Sequence, residues 1–461
     1  MTERGDFSVR GKRVTVVGAA RSGVAAAELL VRRGAEVLLS DVRGEIEDSE
    51  RLRKAGVALE LGGHTKDTFV NADLIVLSPG VPARQPAIDA ARQAGVPVVA
   101  ELELASRWLR GRIVAITGTK GKSTTTTLTG KMLEAGGHKV LVGGNIGHAL
   151  SAQVEASTKD TIHVVETSSF QLEGIVTFHP WVAVLLNFSP DHLDRHATVE
   201  EYAGAKARIF ENQTDGDWAV LNADDPPSLR LAERARARRL LFSLRRDLAE
   251  GVLVAGDAIV RRTPEGDEPL VPLSAVKLIG RHLVADVLAA CAVAAVAGVE
   301  AAAMTKAVEG FAGLEHALEP VAEVGGVRFV NDSKATNVEA ALRAIEAFEP
   351  GLVVIMGGRF KGGDLGQLAA PLVERAATVV AIGEARLLIH DAFAGRVPVV
   401  DADDMHGAVR RAFAAAAPGG SVVLAPACAS FDMFRDYAER GRVFKQEVRR
   451  LESEWKTTRE Q

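Results

Sequence analysis

Residues 116–124 read Ile-Thr-Gly-Thr-Lys-Gly-Lys-Ser-Thr, a set of side chains suited to holding phosphates. Small residues leave backbone amides free to face an anion, Lys122 supplies a cation for β- and γ-phosphates, and the Ser123 hydroxyl is a ligand for Mg²⁺. The familiar spacing G-x-x-x-x-G-K-[ST] requires a glycine where this chain has Ile116, and the glycine arrives late, at Gly118. A strand-like run ending at Thr117 precedes the loop and a helix-like run follows it, the setting such a loop needs. Gly118, Thr119, Lys120, Gly121, Lys122, Ser123 and Thr124 are therefore the expected nucleotide cradle, with Ile116 the last buried residue of the feeding strand.

Further along, "TIHVVE" ends at Glu166, a carboxylate at a strand end that suits the same metal. "WVAVLLN" ends in Asn187-Phe-Ser-Pro-Asp-His-Leu-Asp-Arg-His196, and packing Asp191, His192, Asp194 and His196 so closely points to use rather than burial. Carboxylates and phosphate chemistry favour the hard cation Mg²⁺ over zinc. A third group lies nearer the C-terminus: Asp332, Ser333, Lys334, Thr336 and Asn337 in "NDSKATN", Lys361 in "GGRFKGGD" and Ser430 in "PACASFD". These hydroxyls and lysines suit an anionic, amino-acid-like substrate, although each segment read singly is an ordinary helix cap.

The elements that position these residues alternate short β-branched runs with amphipathic stretches, the pattern of parallel sheets covered by helices. Three blocks emerge, with boundaries near Leu109 and Gly313: residues 1–109, 110–312 and 313–461. Each candidate group falls at the carboxyl end of a strand or in the next helix, where open α/β sheets bind ligands. In the first block Gly18-Ala-Ala-Arg-Ser-Gly23 follows "KRVTVVG" and opens a helix, but Ala20 replaces the middle glycine of a dinucleotide fingerprint. That glycine admits a pyrophosphate, so ordinary NAD binding is disfavoured, while Asp41 is placed to accept from a ribose or base.

Composition sets the class. The chain has 461 residues, 47% hydrophobic and 25% charged, with 55 Lys plus Arg against 60 Asp plus Glu, a net charge of −5. This is a multidomain soluble composition with no basic field for nucleic acid or membrane surfaces. Two cysteines fit a reducing compartment. The N-terminus lacks the apolar core of a signal peptide, and the apolar run Leu283 to Val299, broken by Asp286, reads as a buried helix. The expectation is a cytoplasmic protein without membrane insertion.

Taken in order, "TGTKGKST", "GGNIG", "ETSSFQLE", "NFSPDHLDRH", "AKARIF", "LNADD", "NDSKATN", "GGRFKGGDL" and "PACASFD" resemble the Mur ligase family of peptidoglycan synthesis over essentially the whole chain. That family's phosphate loop has the compressed G-T-x-G-K-[ST] form. The resemblance implies a Rossmann-like N-terminal domain for a UDP-sugar, a central P-loop ATPase-type α/β domain and a Rossmann-like C-terminal domain for an amino acid. Within the family, "SSFQLE", "NDSKATN" and "PACASFD" look like the members that add D-glutamate to UDP-N-acetylmuramoyl-L-alanine, by way of an acyl phosphate.

By position, the resemblance assigns Lys122, Ser123 and Asp332 to ATP, and Ser123, Glu166 and His192 to two Mg²⁺ ions, with Mn²⁺ as a substitute. It makes Lys206 a lysine carbamylated to help hold the second ion. Lys122, Glu166, His192 and Lys206 are the implied catalytic set. Ser22, Asp41, Arg43, Ser78, Gly80, Asn145 and His192 are implied for the sugar nucleotide, and Lys334, Thr336, Lys361, Ser430, Phe431 and Tyr437 for D-glutamate. The chain is expected to act as a monomer on small molecules, its C-terminal domain closing over them.

Four positions depart from the family pattern: Lys120 for a common Asn, Leu283 and Asp286 for two asparagines near the adenine, and Ala317 for an Arg near the ATP phosphates. Folylpolyglutamate synthetase shares the loop and layout but lacks the first block. A ligase for another amino acid conflicts with "NDSKATN", and a non-catalytic nucleotide-binding regulator leaves Glu166 and Lys361 without a use.

Overall fold

The computed structural model describes residues 7–191, 195–277, 281–416 and 418–460. By contacts the chain gathers into two units, one running to Val276 and including Leu283–Gly310, the other from Phe311 onward.

The first unit contains two sheets. In the N-terminal one, β1 (Arg13–Val17), β2 (Glu36–Asp41), β3 (Ala58–Leu61), β4 (Leu74–Leu77) and β5 (Val98–Ala100) lie in the order β3-β2-β1-β4-β5. All its pairings are parallel. The order reverses at β1, which puts a ligand crevice at its carboxyl end. There the first helix, Arg21–Arg32, opens on Ala20. Gly23 is required at this turn because a Cβ on it would sit 1.8 Å from the Gly18 carbonyl oxygen. The chain thus keeps the packing glycine of the fingerprint while losing the one that admits a pyrophosphate.

The second sheet has nine strands: β6 (Arg112–Thr117), β7 (Lys139–Gly144), β8 (Thr161–Glu166), β9 (Val182–Leu185), β10 (Trp218–Asn222), β11 (Arg238–Ser243), β12 (Gly251–Ala255), β13 (Ala258–Thr263) and β14 (Gly266–Pro272). Their order is β14-β13-β12-β11-β10-β9-β6-β8-β7. β6 is central, with β8 and β9 its parallel neighbours, so the loop after β6 is flanked by the ends of both. The strand interiors are buried apolar runs, Ile113–Ile116 and Val182–Leu185 among them, as a sheet covered on both faces demands.

Two glutamates join the sheets. Helix Glu101–Ser106 follows β5, and the Glu103 carboxylate accepts the N–H groups of Val176, Thr177 and Phe178 at 2.9, 2.9 and 2.8 Å. It also takes the Thr177 hydroxyl at 2.7 Å and Arg107 at 2.8 Å. Burial pushes its pKa up, but these bonds outweigh burial and hold it below the usual carboxylate range. Glu101 is equally buried with the Ser151 N–H at 2.6 Å as its hydrogen bond, and burial raises its pKa.

The second unit has one sheet: β15 (Glu319–Val324), β16 (Val327–Asn331), β17 (Leu352–Gly357), β18 (Thr378–Ile382), β19 (Val399–Asp401) and β20 (Ser421–Leu424), ordered β15-β16-β20-β17-β18-β19. Only the β15–β16 hairpin is antiparallel. The carboxyl ends of β16, β20 and β17 are adjacent, and the last helix, Tyr437–Glu460, packs along β15 and β16. Among the described residues no helix is long and apolar enough to cross a membrane.

Candidate active site

The loop after β6 opens helix Lys122–Ala135 directly. Gly121 has φ 81°, and a Cβ on it would lie 2.2 Å from the Asp286 carboxylate, so a glycine is needed for both reasons. Asp286 is buried beneath the loop. Burial drives its pKa well above the ordinary carboxylate range, offset only in part by the Thr125 hydroxyl.

Two amines converge on one carbonyl. Lys122 Nζ donates to the Gly118 and Thr119 oxygens at 3.0 Å each, and Lys206 Nζ donates to the Gly118 oxygen at 2.8 Å. Lys206 comes from helix Val199–Ala207 and is only 2% exposed, its Nζ 4.8 Å from the centre of the Tyr202 ring. Burial first, and then the charge of Lys122, bring its pKa down to about 6. Lys206, singled out in the sequence by the family resemblance alone, is thus a buried amine, neutral at physiological pH.

On the other side of the loop Ser123 Oγ donates to Glu166 Oε2 at 2.6 Å, and Asn145 Nδ2 donates to Glu166 Oε1 at 2.8 Å. The residues expected to serve metal and sugar nucleotide thus meet at Glu166, at the end of β8. Lys120 Nζ lies 3.4 Å from Asp191. His192 and Asp194, named from the sequence, lie outside the described residues. Among those described, no cluster of three or more His, Cys, Asp or Glu is arranged to hold a metal. Ser123 and Glu166 are nevertheless two adjacent hard oxygen donors. They fit Mg²⁺, which commonly takes one or two protein ligands and completes its shell with phosphate oxygens and waters.

The sequence reading gave no role to Asn187. Its amide pins the loop, accepting the Lys120 N–H at 2.9 Å and donating to the Lys120 oxygen at 3.1 Å. A polar residue at a strand end beside a phosphate loop was the available signal.

In the N-terminal sheet Asp41 is not the open acceptor expected. One oxygen takes the Arg43 N–H and Nε at 2.9 Å each, and the other takes the Ala19 N–H at 2.6 Å and Arg43 Nη2 at 2.9 Å. These four bonds fill the usual capacity of a carboxylate. Asp41 therefore orients Arg43 and the Gly18–Ser22 turn, and its pKa falls far below the ordinary range, chiefly through Arg43. Ser78 donates to the Gly18 oxygen at 2.8 Å, and the Gly80 oxygen receives Arg195 at 3.3 Å. Ser22 is half-buried in the first turn of its helix.

In the second unit the loops carrying Lys334 and Thr336, Lys361, and Ser430 and Phe431 follow β16, β17 and β20, three neighbouring strands. Lys334 and Lys361 are exposed, Ser430 is buried, and Phe431 and Tyr437 are 64% and 40% exposed. Asp332 is buried, with a pKa raised by burial to about 7. Arg440, absent from the sequence reading, fastens these loops together. Its guanidinium donates to Ser333 Oγ at 3.0 Å, the Ser333 oxygen at 2.9 Å and the Cys428 oxygen at 3.1 Å. A helical arginine reads as a solvated side chain, and only the tertiary structure reveals its burial.

Comparison with known proteins agrees with this organisation. Family models described as "Mur ligase MurD-like, N-terminal domain", "Mur ligase middle domain" and "Mur ligase, glutamate ligase domain" match residues 12–100, 116–294 and 318–428. A UDP-N-acetylmuramoylalanine--D-glutamate ligase of Koribacter versatilis is 46% identical over 96% of this chain and 99% of its own. One of Acidobacterium capsulatum is 48% identical over 95% and 96%. The fold also matches the crystal structure of UDP-N-acetylmuramate-alanine ligase from Thermotoga maritima, with TM-score 0.59 and 18% identity, covering 95% of this chain and 99% of that one. With three family models matched in order and such identity end to end, the chain belongs to the Mur ligase family.

Proposed function

We propose that the chain is an ATP-dependent, ADP-forming ligase that joins D-glutamate to UDP-N-acetylmuramoyl-L-alanine in cytoplasmic peptidoglycan precursor synthesis, acting as a monomer. Mur ligases use ATP and Mg²⁺. The observation that carries the D-glutamate reading is the near-full-length identity to ligases of that name. The buried amine and carboxylate around the phosphate loop support the chemistry.

In this reading the first domain holds the UDP portion, with Arg43, Ser78 and Gly80 at its uridine end and Asp41 as the anchor of Arg43. The loop amides from Gly118 to Thr124 take the ATP phosphates, and Lys122 leaves the loop carbonyls to meet them. The L-alanyl carboxylate attacks the γ-phosphoryl group, giving an acyl phosphate and ADP. The D-glutamate amine then attacks the acyl carbon, and the tetrahedral intermediate expels phosphate. Lys334, Thr336, Lys361, Ser430, Phe431 and Tyr437 hold D-glutamate, and Asp332 contributes to ATP binding.

Ser123 and Glu166 would hold one Mg²⁺, and His192 with a carbamate on Lys206 the second. When bound, the ions offset the charge of bringing a carboxylate against a triphosphate. Lys120 adds a cation in a loop whose usual arginine partner is replaced by Ala317. Lys120→Asn is expected to raise the KM for ATP about fivefold, and unchanged ATP kinetics would remove that role.

The deciding experiment follows phosphate release from ATP with UDP-N-acetylmuramoyl-L-alanine and, in turn, D-glutamate, L-glutamate, meso-diaminopimelate and L-lysine. Release is expected with D-glutamate alone. Equal rates with all four, or none with D-glutamate, would sink the assignment.

A further inference from the structure

A second polar network lies behind the Asp41–Arg43 turn. Ser40 and Glu60 are register partners on β2 and β3, and the Ser40 hydroxyl donates to Glu60 Oε2 at 2.6 Å. Glu60 Oε1 accepts the Thr65 N–H and the Thr68 hydroxyl at 3.2 Å each. Burial raises the Glu60 pKa, but these bonds, Ser40 foremost, hold it below the ordinary range, so it is an ionised, acceptor-only group.

That commitment fixes a histidine. With the Ser40 proton directed to a carboxylate, the 2.7 Å contact between Ser40 Oγ and His64 Nδ1 requires the proton to be on Nδ1. The neutral ring then carries its lone pair on Nε2. The ring also packs 5.4 Å from that of the buried Phe69, which limits its rotation. Nε2 has no hydrogen-bond partner among the described residues and is not sealed from solvent, in a half-buried ring. The loop that carries it is stitched to the nucleotide turn, since the Gly62 N–H reaches the Asp41 and Arg43 oxygens at 3.0 and 2.9 Å.

We infer that His64 is a specificity-determining contact for the sugar nucleotide, its Nε2 accepting a hydrogen bond from a donor on the nucleoside. The inference rests on the reading of the first domain as the UDP-sugar site. The acidic residue at the end of β2, which commonly accepts from a ribose in such folds, is spent on its own loop. A nucleoside at these strand ends needs another acceptor, and the Ser40–Glu60 network holds one ready. Uridine offers two kinds of donor, the imide N–H of uracil and the ribose hydroxyls.

The test compares wild type with His64→Phe, which keeps a ring and loses the acceptor, and with Ser40→Ala, which frees the tautomer. His64→Phe should raise the KM for UDP-N-acetylmuramoyl-L-alanine about tenfold, leaving kcat and the KM values for ATP and D-glutamate within about twofold. Ser40→Ala should raise it about threefold. Calorimetric binding of UDP, 3-methyl-UDP and 2′-deoxy-UDP to wild type and His64→Phe identifies the donor: the analogue that wild type and variant bind equally lacks it. If His64→Phe does not fold, His64→Leu serves in the same comparison. An unchanged sugar-nucleotide KM and unchanged UDP affinity in a folded variant overturn the inference. A wild type that binds UDP but makes no product overturns the proposed function instead, and the UDP comparison still decides the role of His64.

Discussion

Lys206→Ala is expected to lower turnover by about a thousandfold or more, with partial recovery when acetate or formate is added. The side chain is 2% exposed and bonds the Gly118 oxygen, and its amine titrates near 6 because of burial and then Lys122. A neutral amine attacks CO₂ to give a carbamate and a proton, which an ammonium cannot do. Lys122 acts twice in the same direction: its charge disfavours a second cation and favours the anion that carbamylation creates. Under the proposed carbamylation, truncation to alanine would remove that anion and leave room for a small carboxylate, hence the expected rescue.

The pH dependence has a definite sign. As pH falls through about 6 the amine gains a proton, and the proposed carbamate, with any activity that depends on it, should be lost. Stability moves differently. The unfolded lysine keeps its proton up to the ordinary lysine range, so burying it neutral costs stability that grows as pH falls from that range to about 6. Lys206→Ala should therefore lose activity without a lower thermal midpoint near neutral pH. Steady-state rates with and without acetate, beside a melting curve, check both parts. Full activity, or no recovery with any short carboxylate, would remove the carbamate role.

The contrast between Lys122 and Lys206 explains what the sequence revealed. Lys122 was legible because it sits among small residues whose backbone demands are local: Gly121 must be glycine whatever surrounds the loop, and Ser123 follows at fixed spacing. Lys206 stands on a helix with no local sign of its burial, and only the family resemblance singled it out. The same division holds in the first sheet. Gly23 survives in the fingerprint because strand and helix touch there, a constraint local enough to read. The saturation of Asp41 by Ala19 and Arg43 depends on how the turns fold over one another. His64, Asn187 and Arg440 act through partners distant in sequence, as Arg440 does in joining Ser333 to Cys428. The alternation of strands and helices was legible from periodicity, because the central strands, β6, β9 and β17 among them, are buried apolar runs. That Glu101 and Glu103 face the central sheet's loops was not, since a helix with two glutamates reads as solvated.

Those glutamates carry the largest expected effect on stability. Glu103→Ala should lower the unfolding free energy of the first unit by about 3–5 kcal/mol, because it leaves the amides of Val176, Thr177 and Phe178 and the Arg107 charge without their shared acceptor. Glu103→Gln should recover little, since its amide nitrogen would meet the donors that a carboxylate oxygen now accepts. Glu101 is the opposite case on the same helix. Its carboxyl has a raised pKa, so folding retains a proton that the unfolded chain loses, and its contribution falls as pH rises above the ordinary carboxylate range. Glu101→Gln, neutral at every pH, should be as stable as wild type or more so near pH 8. Glu103, with its depressed pKa, stabilises above the ordinary carboxylate range and loses that contribution as pH falls through its lower folded value. Urea titrations at acid and mildly alkaline pH separate the two, followed by tryptophan fluorescence, to which Trp108, its ring 5.2 Å from that of Phe7 beside this helix, contributes. An unchanged midpoint in Glu103→Ala, or a large loss in Glu101→Gln at alkaline pH, would show that the seam between the first two sheets is held by apolar packing instead.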